Sequence, residues 1–188
     1  MPARYIFLVK FINCNFERED SVMEKLSWTK DIFGSKLDLL QGREKIGNIN
    51  WESMTSSKAQ AIINGRLFTL NREFFLSKLE IYDANSQALL ATIMINFMNP
   101  RSDVVINGKR FVLEVKNFWQ SRWSWKFDGN DIITYTSHEF ITKDKGTIEL
   151  STPMNEEVEI LILLGLFVRN QFVLMILLIL LIAIFIAL

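Results

Sequence analysis

Only one cysteine, Cys14, and one histidine, His138, occur among 188 residues. A single thiol allows no intrachain disulfide, so a disulfide scaffold is excluded and a Cys-based zinc site cannot be assembled. A reducing compartment fits this usage. Basic and acidic residues number 21 each, and no sustained basic block is present, so nucleic acid is not an expected partner. The front of the chain offers no signal-peptide pattern, because its apolar run, Tyr5 to Val9, stops at Lys10 and is too short for an h-region. There is no G-x-S-x-G elbow, Walker loop, dinucleotide fingerprint or H-E-x-x-H, and no Asp-rich calcium loop of the EF-hand type.

What is present in excess lies at the C-terminus. From Val158 to Leu188 the only ionisable side chain besides Glu159 is Arg169. The tract Arg169-Asn170-Gln171 divides this stretch into two apolar halves. Phe172 to Leu188 holds 17 consecutive apolar residues, about 26 Å of helix, close to the ~30 Å hydrocarbon core of a bilayer. Val158 to Val168 is apolar on nearly all sides but spans only about 16 Å, which suits a helix buried in protein. One uninterrupted membrane helix would place Arg169 inside hydrocarbon at a cost of about 2.5–3.5 kcal/mol, so the expected arrangement puts Arg169 at the interface, snorkelling. Pro153, Asn155 and the acidic Glu156, Glu157 and Glu159 mark the helix start, where the macrodipole favours negative charge.

Upstream, Glu17-Arg18-Glu19-Asp20 reads as a solvated turn or loop leading an edge element into the domain. From Lys36 the pattern becomes short apolar–polar alternations broken by Gly, Asn and Asp, beginning with a hairpin: Leu37 and Leu39, then Gln41-Gly42, then Ile46 and Ile49. A longer unit recurs. Ile63-Asn64-Gly65, Phe68, Leu70 and Phe75 return as Ile106-Asn107-Gly108, Phe111, Leu113 and Phe118 at an offset of 43, and Tyr82-Asp83-Ala84-Asn85 returns as Phe127-Asp128-Gly129-Asn130 at 45. The extra residues fall around Trp119 to Trp125, and Lys36-Leu37-Asp38-Leu39 resembles Lys78-Leu79-Glu80-Ile81 as an eroded earlier copy. Trp123, Trp125 and Phe127 share one strand face while Arg122, Ser124 and Lys126 share the other; Phe111, Leu113 and Val115 oppose Glu114 and Lys116 likewise. Hairpins so patterned predict an antiparallel barrel with an apolar bore, which Val158 to Val168 is available to fill.

Repeated aromatic strand pairs with Asp-Gly-Asn turns, followed by an all-apolar C-terminal helix, resemble the tubby C-terminal-like superfamily, with its LURP-one-related and phospholipid scramblase branches. The resemblance covers about Trp28 to Val168. It implies a β-barrel around a central hydrophobic helix and an association with membranes, where tubby proteins bind phosphoinositides through basic residues and scramblases are linked to lipid movement and calcium. The likeness carries the fold and no site residues, since no basic cluster matches the tubby lipid site.

Residues of reactive types have simpler readings. His138 beside Glu139 suits a surface strand position, and Asp128 and Asp131 suit turn formation. Trp119, Trp123 and Trp125 with Arg122 and Lys126 could stack nucleic-acid bases, but the segregation of rings from charges favours core lining, with Trp119 a candidate for the interfacial belt. The expectation is an α+β chain: an N-terminal segment (1–27), a tubby-like barrel (28–171) built from repeated hairpins around a central helix (156–170), and a C-terminal transmembrane anchor (172–188). No catalytic, cofactor-binding or metal-binding residues are expected, and no cofactor. The expected function is a membrane-tethered, non-enzymatic module binding the lipid bilayer, with phospholipid headgroups or a protein as partner. Its alternative is a scramblase-like protein aiding lipid movement. The expected topology is a tail anchor with the barrel in the cytoplasm.

Overall fold

The structure is a computed structural model that describes residues 24–73, 78–95, 101–117, 121–139 and 143–187. Cys14, the Glu17–Asp20 tract, Phe75, Phe118 and Trp119 lie outside them. The first strands are β1 (Glu24–Asp31), β2 (Lys36–Gln41), β3 (Glu44–Trp51), β4 (Lys58–Ile63), β5 (Arg66–Arg72) and β6 (Lys78–Asp83). Then follow β7 (Leu89–Met94), β8 (Arg101–Ile106), β9 (Lys109–Val115), β10 (Arg122–Phe127), β11 (Asn130–Glu139) and β12 (Lys143–Leu150), and finally α1 (Glu156–Ala187). Each strand is laddered antiparallel to its sequence neighbour, except that β1 pairs with β12 and β7 lies beside β8 without a ladder. The result is a nearly closed 12-stranded antiparallel barrel with one apolar C-terminal helix through it.

The expected period-two faces account for the lining. Trp28, Leu37, Leu39, Ile49, Phe68, Leu70, Phe111, Leu113, Trp123 and Trp125 all point into the bore and are buried. The first strand departs from expectation. It begins at Glu24, not Trp28, and is no edge, since it pairs with both β2 and β12. Its alternation of Leu26, Trp28 and Ile32 was hidden because the inward position between Trp28 and Ile32 is Lys30, which is itself buried.

Two Asn-Gly turns, at 64–65 and 107–108, have positive φ at both residues, the primed hairpin geometry that matches strand twist. Asp128-Gly129 forms a third such turn. Its sequence counterpart at Asp83 differs, since the chain there runs through a longer loop closed by Asp83 Oδ1 accepting from Ser86 N at 2.7 Å, with Gln87 at positive φ. Those first two turns hold the start of α1. Asn64 donates to Glu159 at 2.8 Å and Arg66 contacts Glu159 and Glu156 at 3.2 and 2.7 Å, while Lys109 meets Glu157 at 2.9 Å. Asn155 caps the helix by accepting from Val158 N at 3.0 Å.

The helix is continuous over 32 residues, so the division at Arg169 is not a break. Val158 to Val173 is buried, Leu174 to Leu177 half-buried, and Leu178 to Ile186 exposed. The bore takes in about 24 Å of helix, deeper than the 16 Å that the apolar count suggested, because polar residues 169–171 also lie inside the protein. Arg169 is 4% exposed and does not snorkel at an interface. Midway, Trp125 Nε1 and the Tyr135 hydroxyl both donate to the Leu161 carbonyl, at 2.8 and 3.0 Å, and burial pushes the Tyr135 phenol well above its usual pKa. Gly165 makes this approach possible, since a Cβ there would fall on the Tyr135 hydroxyl. Replacing Gly165 with Ala should therefore lower stability by about 1–3 kcal/mol, although Ala favours an isolated helix by about 1 kcal/mol. Denaturant midpoints measured in detergent test this, and a stabilised G165A protein would refute the contact.

Candidate functional site

Because the strands alternate in direction, β1, β3, β5, β7, β9 and β11 all finish at the end of the barrel from which α1 emerges, and the even-numbered strands start there. At this exit, four inward positions are polar. Lys30 of β1, Ser137 of β11 and Asp144 of β12 face Arg169 of the helix. Arg169 Nη2 lies 3.4 Å from Asp144 Oδ1 and 3.3 Å from Ser137 Oγ, and its guanidinium sits 5.5 Å from the Trp123 ring centre. The Lys30 ammonium sits 5.6 Å from the ring centre of Trp51, and burial lowers its pKa against the opposing pull of Asp144 and Asp31. Lys30, Asp144 and Arg169 are each 4% exposed or less, and Asp144 pairs with Arg169 while its charge also acts on Lys30.

Aromatic rings frame these charges. Trp123 stacks on Tyr135 at 4.9 Å and meets Trp28 at 5.7 Å, and Trp51 stacks on Phe167 at 6.1 Å. A shallow apolar crevice between β9, β10 and the helix is lined by Leu113, Val115, Trp123, Val168, Arg169 and Phe172. The indole N–H groups of Trp28, Trp51 and Trp123, and the amide ends of Asn170 and Gln171, have buried atoms with no hydrogen-bond partner among the described residues. This band offers donors and net positive charge. Among the described residues it holds no paired nucleophile and base.

The residues that the sequence singled out for chemistry are scattered. His138 is exposed on β11, 3.1 Å from the Thr147 hydroxyl, and Asp128 sits at positive φ in its turn. Asp131 lies on β11, not in the turn, where it accepts from Ser124 at 2.8 Å and meets Lys116 at 3.3 Å. Trp123 and Trp125 line the core as expected; Arg122 is exposed, and Ser124, expected outside, is wholly covered. Sequence reasoning missed Lys30 and Asp144. Alternation carried the signal: Asp144 shares an inner face with Gly146, Ile148 and Leu150, as Lys30 does with Trp28 and Ile32.

On the outer wall near the exit, Glu114 is held by Lys116, Lys126 and Arg101 at 2.7, 2.7 and 2.9 Å. Hydrogen bonds from Lys116 and Lys126 bring its pKa from 4.5 down to about 2. Beyond the exit the helix surface is wholly apolar from Leu178 onward, with Phe185 72% and Ile186 81% exposed. Among the described residues one helix, Glu156–Ile186, is long and apolar enough by length and composition to cross a membrane. Searches of protein-family models, curated proteins and solved structures found no match to the chain.

Replacing Asp144 with Ala removes the carboxylate that Arg169 meets inside the barrel and should cost about 3–5 kcal/mol, whereas joint replacement of Asp144 and Arg169 by Leu should recover most of it. Equal losses in both proteins, read from unfolding midpoints, would show that the pair is not coupled. Glu114 contributes stability that is complete above the ordinary glutamate pKa of 4.5 and is lost as pH falls through about 2. Glu114→Gln should thus cost about 1 kcal/mol near neutral pH, and its midpoint should converge with that of the wild type toward pH 2.

Proposed function

We propose that this chain is a membrane-tethered, non-enzymatic module: a tubby-like barrel held at a bilayer by its C-terminal helix, working through lipid or protein contacts. The observation that carries the reading is the unbroken helix that leaves the barrel and exposes Leu178 to Ile186 on every side. Continuous apolar surface of this size on a soluble protein marks a contact with lipid or with another protein, and a helix that is apolar all round suits lipid. A barrel wrapped around a hydrophobic helix is the arrangement that the tubby resemblance implies. The like geometry of the Asn64-Gly65 and Asn107-Gly108 turns, each followed by a basic residue gripping the helix start, supports a duplicated origin for the two hairpins.

The non-enzymatic part rests on how the reactive side chains are used: His138 bonds Thr147, Asp131 bonds Ser124, and Asp144 pairs with Arg169. In this reading the helix is a single-pass anchor with the barrel on the cytoplasmic side, and the length free to enter lipid starts at Leu174 and not at Phe172, because Phe172 and Val173 are enclosed by the barrel. The full chain should sediment with membranes and resist extraction by high salt and by alkaline carbonate. Leu180→Arg with Ile184→Arg should release it, since each Arg in mid-membrane costs about 2.5–3.5 kcal/mol. Protease on the cytoplasmic face of sealed vesicles should remove the barrel, and protease on the other face should leave it intact. A wild-type protein found free of membranes would end the anchor reading, and digestion from the other face would invert the topology.

A further inference from the structure

Six strands start at the exit end, and each opens with a basic residue: Lys36 on β2, Lys58 on β4, Lys78 on β6, Arg101 on β8, Arg122 on β10 and Lys143 on β12. The six strands that start at the opposite end open with Glu24, Glu44, Arg66, Leu89, Lys109 and Asn130, a mixed set. At alternate strands of a barrel, neighbouring members of the exit set stand about 10 Å apart around the ring. Five of the six are exposed, and Lys78 is half-buried. The ring is only partly neutralised. Lys78 meets Glu73 and Glu80 at 3.1 and 2.6 Å, Arg101 meets Glu114, Lys36 lies 3.8 Å from Asp38, and Lys143 lies 4.0 Å from Asp31, while Lys58 and Arg122 form no ion pair among the described residues.

Further charges at these strand ends are mixed in sign. By position in the chain, Arg72 and Lys116 join the six against Asp31, Glu52, Glu73 and Glu139, and Asp38, Glu80 and Glu114 stand a residue or two further in, so the excess of basic residues belongs to the first residue of each of the six strands. Beneath them, Arg169 pairs with Asp144, whose charge also acts on Lys30. The opposite end gathers Glu156, Glu157 and Glu159, which Arg66 and Lys109 meet. Apolar side chains also reach out at the exit, Phe33 between β1 and β2 at 72% exposure and Met94 at the end of β7 at 60%.

We propose that this collar seats the barrel end-on against a bilayer bearing anionic lipids, its Lys and Arg side chains contacting headgroup phosphates while the helix at its centre enters the hydrocarbon. Charge and position both fit. The ring surrounds the emerging apolar helix, so its cations stand at phosphate level when Leu178 and the residues after it are in lipid. At physiological ionic strength fields fade within about 8 Å, so the cations act on lipid only when the rim is seated. The inference rests on the membrane reading above, and the experiment separates the two.

The full chain is reconstituted into vesicles of phosphatidylcholine alone and of phosphatidylcholine with phosphatidylserine, its insertion is checked by carbonate extraction, and lysine reactivity is mapped by amine labelling and mass spectrometry. Labelling of Lys36, Lys58 and Lys143 should slow about fivefold or more in the serine-lipid vesicles, the partition expected for one Lys at an anionic surface. High salt should restore it, and Lys25 and Lys109 at the opposite end should not change. In the Lys58→Glu, Arg122→Glu protein, inserted equally well, Lys36 and Lys143 should lose this protection. Protection that is the same in both vesicle types, or absent from both in an inserted protein, overturns the collar and leaves the anchor standing. A chain that enters neither vesicle overturns both.

Discussion

The bore of a 12-stranded barrel has to be filled, and this one requirement organises the molecule. Twelve strands enclose a channel wide enough for a helix, and the pleat sends every second side chain into it. Left open, it would expose the rings of Trp28, Trp51, Trp123 and Trp125 to water. The helix that fills it is surrounded on all sides, so it needs apolar residues on all sides, and an amphipathic stripe would leave polar groups stranded. Its axial position is set by polar contacts at three levels. Acidic side chains meet the two Asn-Gly turns at its start, the Leu161 carbonyl receives Trp125 and Tyr135 midway, and Arg169 meets Asp144 near the exit.

Continuity of the helix has a mechanical consequence. No linker separates the enclosed part, ending at Val173, from the exposed part that begins at Leu178. A flexible tether would let a domain drift over several nanometres, whereas an unbroken helix locked in its barrel transmits orientation directly. Whatever environment accepts the exposed turns therefore also sets the distance and tilt of the rim. Enclosed charge at the exit is tolerated for a related reason: the carboxylate and the aromatic faces that satisfy Lys30 and Arg169 come from the barrel wall, so the helix can carry a cation through a region that is otherwise hydrophobic.

Much of the fold was legible. Alternation predicted the inward aromatics, the Asn-Gly pairs predicted hairpin turns, and the loss of charge after Glu159 predicted a helix destined for apolar surroundings. The limits of legibility were set by local exceptions. Lys30 interrupts the inner face of β1, which therefore reads as an edge element, and Asp144 interrupts the inner face of β12 in the same way. Arg169-Asn170-Gln171 looked like a boundary because a polar trio in an apolar run is costly in lipid, and its cost inside a barrel depends on partners that lie 25 and 32 residues away in the chain.

Local chemistry, then, is what the amino-acid order determined by itself: period-two faces, positive-φ turns, a capped helix start, and a segment that water rejects. A helix lining a protein bore and a helix crossing a bilayer make the same demand on composition, so composition could not say where one ended and the other began. Tertiary structure decided that boundary through the depth of the barrel, which carries burial on to Val173. It also decided the basic rim. Lys36, Lys58, Lys78, Arg101, Arg122 and Lys143 are spaced unevenly along the chain and form no run or motif, and only an antiparallel meander that alternates its strand ends brings them to one side of the molecule.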